Sequence, residues 1–192
     1  MRKLIQIDPW AYYFAAFAVL TVPIDWFLAA LCAAVFHELC HIWAIKRLGG
    51  KILGIRVCIS GTVIETEIPG KREELLSALA GPAGSLLLLT LCHVFPKLAI
   101  CAWVQGVFNL LPVYPLDGGR VLRCCLKWFC PLKSERILFR TEILLAFIIF
   151  LLAVIGSLVF SMGLLPLFAA MLLIIKAVLR KRPCKQDQIR VQ

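Results

Sequence analysis

Along the chain, long apolar windows alternate with short charged segments. The windows fall at about residues 10–24, 26–45, 75–95, 98–111, 143–160 and 164–179. A helix rises about 1.5 Å per residue and needs about twenty residues to cross the hydrocarbon, so most of these windows can span, the first and fourth being short. The pattern predicts an all-α polytopic membrane protein with about six transmembrane helices. One segment has a different period. In KILGIRVCISGTVIETEI, residues 51–68, Ile55, Val57 and Ile59 alternate with Arg56 and Cys58, and Ser60-Gly61 supplies a turn signal. That period of two predicts a small β-hairpin or sheet.

Composition supports the membrane reading. The chain is 61% apolar with a mean hydropathy of +0.91, against roughly half apolar in soluble domains. Arg2 and Lys3 precede an apolar stretch, as in a signal peptide. Asp8-Pro9 interrupts that stretch, however, and no small-x-small site leads into a polar start.

The net charge of +10 changes the picture only through its distribution. With a cytoplasmic N-terminus, Lys and Arg number two before the first span, six in 46–72, six in 120–140 and five in 180–192, which puts nineteen of twenty-one inside. This is the positive-inside pattern for six helices with both termini cytoplasmic, and it sets the 51–68 sheet at the cytoplasmic face. Nucleic-acid binding is then unnecessary. Nine cysteines without a CxxC spacing, lying in apolar runs or cytoplasmic segments, suggest reduced thiols rather than a disulfide framework. The chain reads as one integral-membrane domain over 1–192 with a short basic tail at 180–192, and with neither a PDZ nor a CBS domain.

Two polar patterns interrupt the apolar windows. Ser77, Gly81 and Ser85 recur every four residues in the third, a spacing that lets helix backbones approach closely in lipid, and Ala29, Ala30, Ala33 and Ala34 in the second offer a matching face. Within the third window Pro82 also frees a backbone carbonyl. The fourth window runs into NLLPVYPLDGGR, where two prolines followed by Asp-Gly-Gly cannot continue a regular helix. Irregular backbone at membrane depth is tolerated only inside protein or beside a wet cavity, so this break marks an interior site. Beyond it, Arg120, Arg123 and Lys127 share one face of an amphipathic surface helix.

The chemistry lies in VFHELCHIWAI. His37 and His41 are four residues apart on a predicted helix, so both imidazoles reach one metal ion, and Glu38 lies beside them. In this H-E-x-x-H arrangement the histidines bind zinc and the glutamate is general base toward water. The site lies roughly 8–14 Å of helix from the cytoplasmic end. A catalytic zinc usually takes three protein ligands. Most other acidic residues belong to the outer side or the cytoplasmic loop, which leaves Asp117, whose alternative role is an Asp-Gly turn. His93 stands alone near the opposite face.

Taken together, HELCH, AGPAG and NLLPVYPLDGG resemble the site-2 protease (M50) family of intramembrane zinc metalloproteases, over about residues 25–125. The compact layout looks most like the sporulation-type protease that cleaves a membrane-tethered pro-sigma factor. The resemblance implies one zinc held by His37, His41 and Asp117, a catalytic Glu38, and an Asn109 that positions substrate. It implies as partners a membrane-tethered protein substrate, the lipid bilayer and a membrane regulatory protein. Competing readings are a catalytically silent membrane scaffold or retention protein keeping a structural zinc, and a zinc transporter. Glu38 argues against the first, and the lack of His-rich loops against the second.

Overall fold

The computed structural model describes residues 5–58, 61–113 and 116–159. The sixth apolar window, at 164–179, and the basic tail, at 180–192, lie outside the described residues. Packing divides the chain into two compact units, Met1–Phe129 and Cys130–Gln192. The first contains β1 (Ile5–Ile7), α1 (Pro9–Thr21), α2 (Ile24–Arg47), β2 (Lys51–Cys58), β3 (Gly61–Glu67), α3 (Lys71–Leu87) with a 3-10 turn at Leu88–Leu91, α4 (Pro96–Asn109) and α5 (Asp117–Phe129). In the second the described element is α6 (Ser134–Val159).

Among the described residues three helical stretches are long and apolar enough to cross a membrane: Ile24–Arg47, Lys71–Leu91 and Ser134–Ser157. Only 17–39% of their most apolar windows is buried, so most of that surface faces outward, as lipid contact requires. The expected first and fourth spans are helices of 13 and 14 residues, about 20 Å each, short of a hydrocarbon core of about 30 Å. Both start on a proline, Pro9 and Pro96, whose missing N–H costs nothing in the first turn.

Helix α2 ends in a defined stop. Gly49 takes the left-handed conformation at φ 77°. Its N–H reaches the Lys46 carbonyl at 3.3 Å while the Gly50 N–H reaches that of Ile45 at 2.8 Å, which is the Schellman arrangement. The chain then enters a three-stranded sheet of order β1-β2-β3. Strands β2 and β3 form the expected hairpin, antiparallel from Lys51↔Glu67 to Cys58↔Gly61, with a bulge at Leu53. Ile55 and Val57 are half-buried and Arg56 is exposed, as the alternation predicts. The unforeseen strand is β1, which pairs in parallel with β2 through Ile5↔Ile55, Gln6↔Arg56 and Ile7↔Val57.

Helices α2, α3 and α4 pack on one another, and α5 packs on α3. Ala33 of α2, Leu88 after α3 and Ala102 of α4 form a buried cluster, flanked by Phe36, Leu98 and Cys101. The close approach of α2 and α3 is as expected, but larger side chains fill much of the groove that the small residues of α3 leave. A β-carbon at Gly84 would lie 2.3 Å from Cys40 Sγ, and one at Gly81 would run into His37 and His41. Of the four alanines, Ala33 is in the core and Ala30 is exposed. At the other end of α2, Asp25 pairs with Lys97 at the start of α4, and the Lys97 ammonium lies 5.6 Å from the Trp26 ring centre.

Between α4 and α5 the backbone makes successive tight turns, with Val113 N–H on the Leu111 carbonyl and Leu116 N–H on that of Val113. Helix α5 starts at Asp117 itself, so the break predicted there is shorter than expected. Gly118 makes the turn back possible: a β-carbon there would lie 2.0 Å from the Leu110 carbonyl oxygen. On the same helix Cys124 is buried beside Glu74 of α3, and burial with the Glu74 carboxylate pushes its thiol up to about 11.

Candidate active site

Two helical positions and one helix start converge here. His37 and His41 stand one turn apart on the face of α2 that packs on α3. Asp117 is brought opposite them by the return of the chain over Gly118. All three are buried. Asp117 Oδ2 lies 3.0 Å from Nε2 of His37 and 3.0 Å from Nε2 of His41, and the two Nε2 atoms are 3.2 Å apart. Among the described residues this is the group of three or more His, Cys, Asp or Glu side chains whose donor atoms all fall within 4.8 Å of one another.

The far sides of the rings are held by α3. His41 Nδ1 is 2.7 Å from the backbone carbonyl of Ser77, and His37 Nδ1 is 2.8 Å from Ser85 Oγ. A carbonyl can only accept, so His41 carries its proton on Nδ1 and, when neutral, turns the Nε2 lone pair inward. That lone pair faces a carboxylate oxygen and the second imidazole across about 3 Å, an arrangement that a shared proton or a metal ion would hold together. The three separations lie near the edge of about 3.3 Å that a tetrahedral zinc with ligand distances of about 2.0–2.1 Å requires. Space has been left for it. A β-carbon at Gly81 would sit 2.1 Å from His41 Nε2 and 2.7 Å from His37 Nε2, inside the zone the donors face.

The other carboxylate oxygen of Asp117 points away from the histidines, with Arg120 Nη1 3.6 Å from Oδ1. Glu38 is half-buried next to His37 and interacts electrostatically with His41, His37, Asp117 and Arg120. Asn109 closes α4 and is half-buried. His93 is exposed and apart from the group, as expected.

Sequence reasoning missed the role of α3 beyond its spacing. Ser77, Gly81 and Ser85 read as a packing stripe. In the structure the first gives its carbonyl to His41, the second leaves room between the histidines and the third gives its hydroxyl to His37. The available signal was the same four-residue period as His37 and His41, which puts one serine or glycine beside each histidine along a parallel or antiparallel neighbour.

Residues 71–154 match the family model for peptidase family M50. A zinc metalloprotease of Methanocaldococcus jannaschii is 35% identical over 127 residues, covering 58% of this chain and 37% of that protein. The stage IV sporulation protein FB of Bacillus subtilis is 27% identical over 134 residues, covering 62% of this chain and 46% of that protein. The chain thus spans less than half the length of these curated relatives. The solved structure of a site-2 protease from Methanocaldococcus jannaschii aligns at a TM-score of 0.67 with 25% identity, over 94% of this chain and 92% of that one. Over residues 71–154 the chain carries a peptidase family M50 (site-2 protease) domain, and its fold is similar to that of a solved site-2 protease.

Proposed function

We propose that the protein is an intramembrane zinc metalloprotease that hydrolyses a peptide bond in or near the membrane segment of a membrane-tethered protein. The observation that carries this reading is the triangle of His37, His41 and Asp117 donor atoms with Glu38 beside it on the same helix. His37, His41 and Asp117 would hold one zinc. Bound there, zinc supplies Lewis acidity and an activated water near neutral pH. Glu38 takes a proton from the attacking water and returns it to the leaving amine, and a glutamate within reach of both is the general base such chemistry needs. Asn109 is assigned to substrate positioning, a role supported by its place at the end of α4, immediately before the turns that lead to Asp117.

A substrate helix hides its carbonyls in its own hydrogen bonds and must unwind before it is cut. We assign the outer edge of β3 to that step. The strand has β2 on one side only among the described residues, and an extended substrate segment can add to its open edge. Charge distribution supports a membrane location with both termini and the sheet at the cytoplasmic face, where the active site is shallow. A membrane-tethered pro-sigma factor is the substrate class that the resemblance to sporulation-type proteases implies, a relative named stage IV sporulation protein FB is in keeping with a sporulation role, and a membrane regulatory protein is a further partner of this reading.

Glu38→Gln separates this reading from a scaffold that keeps a structural zinc. In a purified system with candidate membrane-tethered substrates, the variant should retain zinc and lose cleavage by a factor of about 10²–10⁴. Equal cleavage by both proteins would remove Glu38 as the base.

A further inference from the structure

We infer that Ser85 is a positioning residue for the metal site, holding the His37 imidazole from behind so that its Nε2 faces the ion. The inference rests on the proposed zinc site and adds a residue that neither the motif nor the comparisons assign.

Ser85 is wholly buried on α3, and its Oγ lies 2.8 Å from His37 Nδ1, itself on a residue only 2% exposed. A serine inside a helix commonly bonds back to its own preceding turn, as Ser77 does through Oγ to the Glu74 carbonyl at 2.8 Å. Ser85 instead reaches across to another helix. Its position is fixed from a third side, because α4 comes so close at Gly106 that a β-carbon there would be 3.0 Å from Ser85 Cβ. The hydroxyl is therefore clamped between α2 and α4 with little freedom to move.

The two ligand histidines are held by different chemistry. His41 faces a backbone carbonyl, which accepts only and which no substitution removes. His37 faces a hydroxyl, which donates or accepts and so keeps the ring oriented in either tautomer. With the metal at Nε2, the His37 proton is on Nδ1 and Ser85 Oγ accepts it. Partners of this kind on the second nitrogen fix ring orientation and raise ligand basicity. Of the two, Ser85 is the partner that a side-chain change can remove.

The test is a Co²⁺ titration of the full-length protein in detergent, followed by visible d–d absorption and by competition with Zn²⁺. Ser85→Ala should bind about 10–100-fold more weakly than wild type. Alanine favours helix, so the variant should fold, and thermal unfolding of the metal-free proteins should be unchanged. Equal affinity in wild type and Ser85→Ala would overturn the positioning role. So would weaker binding matched by an equal loss of stability in the metal-free protein, because that marks Ser85 as a packing residue only. A wild-type protein that binds neither ion would overturn the zinc-site reading itself, a result distinct from either of these.

Discussion

At the scale of single residues, the most informative position after His37, His41 and Asp117 is Gly81. The convergence of the histidine pair was legible because ionisable groups are costly in an apolar segment, and two imidazoles at helical spacing point to one shared ion. Asp117 was legible by elimination. The contributions of Gly81 and Ser85 were not, because which small residue of α3 faces which histidine depends on the rotation of one helix against the other, and no local pattern sets it. The geometry makes a direct prediction for Gly81→Ala. Alanine is better in a helix than glycine by about 1 kcal/mol, so the helix itself should survive. Its methyl, however, would lie 2.1 Å from His41 Nε2 and must displace that imidazole. Zinc content of the purified variant should fall to near zero while its helical circular dichroism stays at the wild-type level. Full zinc occupancy would show that the ion sits elsewhere.

At the scale of elements, periodicity identified the hairpin at 51–67 and the break after α4 but missed β1. Three residues, Ile5–Ile7, carry too little pattern of their own, and their partner Ile55–Val57 lies some fifty positions away. The break was legible from Pro112, Pro115 and the Asp-Gly-Gly run. The start of α5 at Asp117 was not, because it depends on Gly118 lying against the Leu110 carbonyl, a tertiary contact. The open edge of β3 also belongs to this scale. If substrate adds there as a strand, prolines at alternate positions of the substrate's extended segment remove the N–H groups that bond to the edge. Cleavage in a reconstituted assay should then fall for one set of alternate positions and not for the other. Unchanged cleavage with both sets would rule out strand addition.

At the scale of the whole molecule, the chain is mostly helical with a three-stranded sheet, and three described helices are long and apolar enough for a membrane. Six spans were read from hydropathy. Hydropathy sees composition but not the length of regular helix, which is 13 and 14 residues for α1 and α4. The proposed orientation has a test of its own in Cys92 and Cys130, both exposed. In single-cysteine variants in intact cells, a membrane-impermeant maleimide should label Cys92 and leave Cys130 unlabelled until the membrane is opened; the reverse pattern would invert the topology. The central claim, however, is that α2 and the start of α5 together build one catalytic zinc site. X-ray absorption at the zinc edge, on the full-length protein loaded with one equivalent, tests it most directly. A site built by His37, His41 and Asp117 should give a nitrogen and oxygen shell at about 2.0–2.1 Å with two imidazoles and no sulfur. A sulfur shell at about 2.3 Å, drawn from the cysteines, or a failure to retain zinc, would contradict it.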